Sequence, residues 1–213
     1  MSIAERLAAV RAALPAALTL VAVSKTQPPE AVREAYLAGQ RDFGENYAQE
    51  WRAKADALAD LSDLRWHFIG GLQTNKARLL AGRVTAVHTV DRVELARELS
   101  RRLEARQARV QVFLEVNVGG ETSKQGCAPG EVPPLAEAVR GLPGLDLVGL
   151  MCVPPAGADP RPHFRLLRSL RDALGLAELS MGMSGDWREA VEEGSTCVRI
   201  GTAIFGPRPA RQP

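Results

Sequence analysis

Eight short runs of strand-forming residues, each followed by a stretch of helical periodicity, restrict this chain to very few folds. The runs are LTLVAVS (18–24), RDFGE (41–45), RWHFIG (65–70), VTAVHTV (84–90), VQVFLEVNV (110–118), LDLVGLMCV (145–153), AELSMGM (177–183) and VRIGTAIFG (198–206). Apolar residues recur at helical spacing in 29–40, 47–60, 74–82, 92–107, 131–142, 163–175 and 186–194, and the N-terminal MSIAERLAAVRAAL adds an eighth helix. Strict alternation implies parallel strands joined by crossover helices. Eight such units in 213 residues fit an α/β protein built as one (β/α)8 TIM barrel with an extra N-terminal helix, at the compact end of its size range. An open doubly wound sheet is the alternative fold. No internal repeat and no Gly- or Ser-rich linker divides the chain, so residues 1–213 are expected to form a single domain, with 207–213 as a flexible tail.

Charge and motif content exclude several classes of function. Lys and Arg total 27 against 25 Asp and Glu, a net charge of +2 without a basic tract, which is no footprint for a nucleic acid. No apolar run approaches the roughly 18 residues of a membrane span, and the first helix mixes acid and base unlike a signal peptide, so a cytoplasmic monomer acting on a small molecule is expected. Cys127, Cys152 and Cys197 lack CxxC spacing and are expected to be reduced. His67, His88 and His163 are isolated in sequence, which predicts packing or hydrogen-bonding roles and no metal site.

In barrels of this kind the reaction face is built from the C-terminal strand ends. Those ends offer Lys25; Glu45 and Asn46; Gly70 and Gly71; Asp91; Asn117; Pro154; Ser184; and Gly201 with Thr202. Solvation of loop starts would explain Glu45, Asp91 and Asn117 equally well. SMGMSGDW is more specific: it carries small residues into a helix start, with Ser184 near the N-cap and Asp186 in the first turn, an arrangement suited to an anion. Gly201 and Thr202, closing strand eight, supply the facing half of a phosphate seat.

The chain has four lysines, Lys25, Lys54, Lys76 and Lys124. Lys54 falls inside an amphipathic helix, where solvation is the default reading; Lys76 begins a helix, and Lys124 lies in the loop GGETSKQG. Only Lys25 extends from a buried strand, on the face shared by Val21 and Val23, where its amine would meet the barrel mouth as a Schiff-base nucleophile. A reactive lysine beside a phosphate seat points to an aldehyde that carries phosphate.

At AVSKT, GQRDFGENY, WHFIGGLQTNK, LSMGMSGD and VRIGTAIFG the chain resembles the pyridoxal-phosphate homeostasis proteins, small fold-type III barrels similar to the N-terminal domain of alanine racemase. The resemblance runs from Val21 to Phe205. It implies that pyridoxal 5′-phosphate (PLP) is bound covalently as an aldimine of Lys25, that Asn46 lies beside the cofactor, that Ser184, Gly201 and Thr202 hold the phosphate, and that Arg199 faces the pyridine nitrogen. Alternation agrees that Arg199 points inward between Val198 and Ile200; an interior ion pair with Glu115 is the structural alternative, and the two roles can hold together because a buried guanidinium needs compensation.

An arginine at the ring nitrogen keeps its own proton and leaves the ring a weaker electron sink. Racemisation also needs a second base, and the sequence stops after strand eight, with only Tyr36 and Tyr47 as tyrosines. The expected function is therefore PLP binding for vitamin B6 homeostasis or delivery to apo-PLP enzymes rather than catalysis. A low-activity PLP-dependent racemase is the second reading, and an aldolase-type barrel acting on sugar phosphates the third. Two departures stand out: Gln27 occupies a position where family members often carry a further lysine, and the pair Gly70-Gly71 is expected to loosen its loop.

Overall fold

The computed structural model describes residues 1–207. Chain order is α1 (Ile3–Ala13), β1 (Thr19–Val23), α2 (Pro29–Leu37), β2 (Asp42–Glu45), α3 (Ala48–Ala57), β3 (Arg65–Phe68), α4 (Ala77–Leu80), β4 (Ala86–Val90), α5 (Val93–Glu104), β5 (Val110–Glu115), α6 (Val132–Arg140), β6 (Leu145–Met151), α7 (Arg161–Ala173), β7 (Glu178–Ser180), α8 (Trp187–Glu192), β8 (Cys197–Ile200) and α9 (Thr202–Phe205). Every strand pairs in parallel with its sequence neighbours, and β8 returns to β1 with Val21 opposite Arg199, closing the barrel and removing the open-sheet alternative. The expected tail at 207–213 lies, apart from Pro207, outside the described residues.

Strand periodicity divides the barrel into two environments. Leu20, Ala22, Phe43, Phe68, Leu114, Val198 and Ile200 point outward into the main core beneath the helices. Burial there contributes about 1.5–3 kcal/mol per large side chain. Residues of the other parity fill the bore. Ala86, Phe113 and Met151 form a separate apolar cluster in it, and beside them His67, His88, Ser180 and Arg199 make a polar stretch of the bore.

The N-terminal helix follows directly from its caps: the Ser2 hydroxyl accepts from Glu5 N–H and the Glu5 carboxylate from Ser2 N–H, a capping box. This helix packs against α2 and α9, and Arg6 Nε donates to Ile204 O at 2.6 Å.

Strand eight is shorter than its apolar run predicts. Extended backbone ends at Ile200, Gly201 takes φ −114° and ψ −75°, and Ile204 and Phe205 N–H turn back to its carbonyl, so Thr202–Phe205 are helical. A ninth α-helix among the described residues is thus added to the eight expected. The run AIF suits either period, and the glycine decides between them.

Candidate functional site

A pocket of about 390 Å³ opens at the C-terminal ends of β1, β2, β7 and β8. Lys25, Asn46, Ser184, Arg199, Gly201 and Thr202, brought from four separate segments of the chain, all line it, together with the apolar Val23, Ile69, Val153, Met183 and Phe205. The volume suits a small organic ligand. The sequence did not single out the apolar lining, because Ile69 and Phe205 read as ordinary strand residues.

Lys25 lies two residues beyond β1, in a tight turn closed by Gln27 N–H to Ser24 O at 3.0 Å. Thr26, next to it, has φ +65°, a left-handed conformation that a β-branched residue adopts only when its surroundings enforce it. Glu50 does so by accepting the Thr26 N–H. Lys54, expected in solvent, is instead 4% exposed and ties the same turn down. Its Nζ donates to Ser24 O at 2.6 Å, to Glu45 Oε1 at 2.7 Å and to Glu50 Oε1 at 2.7 Å, and the Ser24 hydroxyl also donates to Glu45 Oε1 at 2.6 Å. Glu45 is therefore fully buried on the helix side of β2 rather than at the reaction face. Burial pushes its carboxyl up, against the opposing pull of Lys54 and Ser24. Asn46, one residue on, has the opposite parity and reaches the pocket.

The two segments expected to form a phosphate seat also take a different local form. Asp186, not Ser184, occupies the N-cap position of α8, and its Oδ1 accepts Met183 N–H at 2.6 Å while its own N–H returns to Met183 O. This small ring leaves the N–H groups of Ser184 and Gly185 without an acceptor among the described residues. Gly201 precedes α9, whose first N–H groups, Thr202 and Ala203, have no acceptor within the helix. Both helices are short, so N–H groups and the Ser184 and Thr202 hydroxyls matter here more than any helix dipole. A Cβ added at Gly201 would stand 3.1 Å from Val23 O and 3.3 Å from Val23 Cβ.

Arg199 is 4% exposed, with Nη1 donating to Ser180 O and Oγ at 2.6 Å each and Nη2 to Cys152 O at 2.9 Å. No ion pair joins it to Glu115 among the described residues; carbonyls and a hydroxyl stand where the alternative reading placed that carboxylate. Glu115 still feels the cation: burial and Asp91 push its carboxyl up to about 7, with Arg199 pulling against them. Three hydrogen bonds leave two of the five guanidinium N–H groups unengaged among the described residues.

Other strand-end residues serve the scaffold. Asn117 Nδ2 donates to Glu121 O, Asp91 pairs with Arg92, and Lys124 Nζ donates to Pro154 O at 2.9 Å. Gly70-Gly71 does not loosen its loop. A Cβ at Gly70 would fall 2.1 Å from Asn46 O and one at Gly71 2.2 Å from the Gln125 amide, so both glycines permit close packing, and Thr89 Oγ1 holds Gly70 O at 2.7 Å. Cys127, Cys152 and Cys197 are free thiols, each pushed up to about 12 chiefly by burial, and so are poor nucleophiles. The histidines separated in sequence are not separate in space: His67 Nδ1 and His88 Nε2 lie 2.9 Å apart in the bore.

The residues fit a phosphorylated aldehyde on two structural counts. Asn46 Oδ1 is buried without a hydrogen-bond partner, and the Gly201 cradle is one that a side chain would fill.

The family model for the alanine racemase N-terminal domain matches residues 1–209. The chain is similar to the pyridoxal phosphate homeostasis proteins of Pseudomonas aeruginosa, with 52% identity covering 91% of this chain and 86% of that protein, and of Aquifex aeolicus, with 48% identity covering 89% and 86%. Among solved structures, PipY of Synechococcus elongatus with PLP bound superposes with a TM-score of 0.88 at 39% identity, covering 96% of this chain and all of that one. Alanine racemase of Clostridium difficile shares the fold alone, with a TM-score of 0.79 at 14% identity over 98% of this chain and 57% of the enzyme.

Proposed function

The chain belongs to the pyridoxal phosphate homeostasis protein family, and from that premise we propose that it binds PLP in the pocket at the barrel mouth and serves intracellular PLP homeostasis. The observation that carries the proposal is the convergence of Lys25, Asn46, Ser184, Arg199, Gly201 and Thr202 on one small pocket. Lys25 holds the aldehyde as an aldimine: its amine adds to the aldehyde carbon and the carbonyl oxygen departs as water. Ser184 and Thr202, with the N–H groups around Gly185 and Gly201, receive the phosphate. Asn46 satisfies its buried Oδ1 against the ring substituents, and Arg199 donates to the ring nitrogen. The barrel is read as a single PLP-binding domain that acts as a monomer in the cytoplasm, without membrane or nucleic-acid partners.

Carrying the ligand, and handing it to apo-PLP enzymes, fits the site better than catalysis. PLP supplies an electron sink when its ring nitrogen is protonated, and a guanidinium there holds the nitrogen as an acceptor. Tyr36 is committed to Asp63 on the outer face, and Tyr47 is exposed at the start of α3. Neither lines the pocket. Incubated with L-alanine in heavy water, the PLP-loaded protein is expected to introduce no Cα deuterium beyond that caused by free PLP and to yield no D-alanine by chiral chromatography. Rapid exchange or accumulating D-isomer would establish the racemase reading instead.

The phosphate seat has its own test. Gly201→Val places a branched side chain against Val23 O, and its PLP affinity, measured by fluorescence titration, is expected to fall about 30-fold, roughly 2 kcal/mol. Affinity for unphosphorylated pyridoxal should change little. Equal losses for both ligands would remove the anion from this position.

A further inference from the structure

Beneath the pocket, the polar stretch of the bore is one continuous hydrogen-bonded chain. Arg199 Nη1 donates to Ser180 Oγ at 2.6 Å; Ser180 Oγ lies 2.8 Å from His88 Nδ1; His88 Nε2 lies 2.9 Å from His67 Nδ1; and His67 Nε2 lies 3.0 Å from Asp42 Oδ1. All but Asp42 are buried, and His88 and Ser180 are wholly inaccessible. His88 also stacks on Phe113, ring centroids 4.2 Å apart, which leaves its two nitrogens free to face only His67 and Ser180.

The two ends of this chain dictate its direction. A guanidinium only donates. The Asp42 carboxylate only accepts, because the bonds from Arg65 and His67 outweigh the upward push of burial and hold it at about 2. One order then gives every proton along the chain a good acceptor: the Ser180 hydroxyl donates to His88 Nδ1, His88 Nε2–H to His67 Nδ1, and His67 Nε2–H to Asp42. Both imidazoles are neutral in that order. Burial, the largest cause, and the nearby Arg199 depress the basicity of His88, which makes it neutral in this order and in the competing one alike. The competing order makes His67 a cation donating both ways and His88 a donor to Ser180. The serine proton would then be left with the neighbouring Cys197 thiol, a weak acceptor.

We propose that this directed chain positions Arg199, with His88 as a positioning residue that acts through the Ser180 hydroxyl. A serine hydroxyl rotates freely unless its proton is claimed. Once His88 takes that proton, the Ser180 lone pairs are fixed toward Arg199 Nη1, and the remaining N–H groups of the guanidinium are aimed at the pocket. The link to the ligand rests on the PLP reading of the pocket, whereas the proton order does not.

Nitrogen-15 NMR of the imidazoles in the ligand-free protein at pH 7 tests the order, with both histidines expected as neutral Nε2–H tautomers. A cationic His67, or a proton on His88 Nδ1, overturns it. Binding of PLP and of its 1-deaza analogue, which carries C–H in place of the ring nitrogen, tests the positioning. His88→Leu is expected to weaken PLP about 10-fold, equivalent to about 1.4 kcal/mol, and leave the analogue unchanged, while His88→Gln, able to accept and donate at the same two sites, retains PLP affinity. Equal losses for both ligands, or no loss for either, overturns the positioning role. Ser180→Ala, measured identically, decides the matter if His88→Leu does not fold. A wild-type protein that binds neither ligand removes the PLP reading and the positioning role with it, and the NMR result still judges the proton order alone.

Discussion

Lys25→Ala is expected to abolish both the visible absorption band of the protein mixed with PLP and the adduct that borohydride fixes, the largest functional effect of any single substitution here. Lys25 is the lysine whose side chain lines the pocket; Lys54 is locked among Ser24, Glu45 and Glu50, and Lys124 is engaged with Pro154 and Glu121 outside it. On the proposed reading of the pocket, non-covalent contacts to phosphate and ring remain in the variant. PLP should still bind, about 100-fold more weakly, which corresponds to about 2.7 kcal/mol for the lost covalent link. Peptide mapping of the reduced wild-type complex should place the adduct on Lys25, and Lys76→Ala should keep it. An adduct recovered undiminished from Lys25→Ala would move the covalent site to another lysine.

Lys54→Met carries the largest expected cost in stability. The ammonium has two carboxylates and a carbonyl within 2.7 Å and is 4% exposed, while its partner Glu45 is wholly buried. Removing one member of such a pair leaves an uncompensated charge in the interior, worth about 3–5 kcal/mol by urea denaturation at pH 7. The sign of the pH dependence follows from Glu45. Its folded-state affinity for a proton already exceeds that in the unfolded chain, because burial raises it, and loss of Lys54 raises it further. The folded variant therefore binds a proton that the unfolded chain releases, and its deficit relative to wild type shrinks as pH falls through the raised value. Glu45→Gln in the Lys54→Met background should recover part of the loss at pH 7. A deficit unchanged between pH 7 and pH 5 would mean that packing, not charge, sets the cost. Since Ser24 and Thr26 flank Lys25, the same variant should also weaken PLP binding.

Much of the site was legible because parallel barrels impose a simple rule on sequence. Alternation placed Arg199 inward and Val198 and Ile200 outward, and the same alternation could have separated Asn46, which faces the pocket, from Glu45, which faces α3. The burial of Lys54 also left a trace: it lies three residues after Trp51 and six after Ala48, on the buried stripe of α3. A charged residue on an apolar stripe is a signal that it has a buried partner, but the partner, on a strand nine residues earlier, is fixed only when helix and strand pack.

Periodicity and the order of elements in the sequence by themselves favoured a closed barrel over an open sheet, marked the strand ends as its reaction face, singled out Lys25, Ser184, Gly201 and Thr202 there and turned Arg199 inward; the family resemblance supplied the place of Asn46 and the role of Arg199. Only the tertiary structure decided the partners. Arg199 meets Ser180 and Cys152 rather than Glu115, His67 meets His88 on the neighbouring strand, and Asp186 rather than Ser184 caps α8. These outcomes depend on strand register and on distances of a few ångströms between segments far apart in the chain, and hydrogen bonds, unlike hydrophobic burial, fail when such distances are missed.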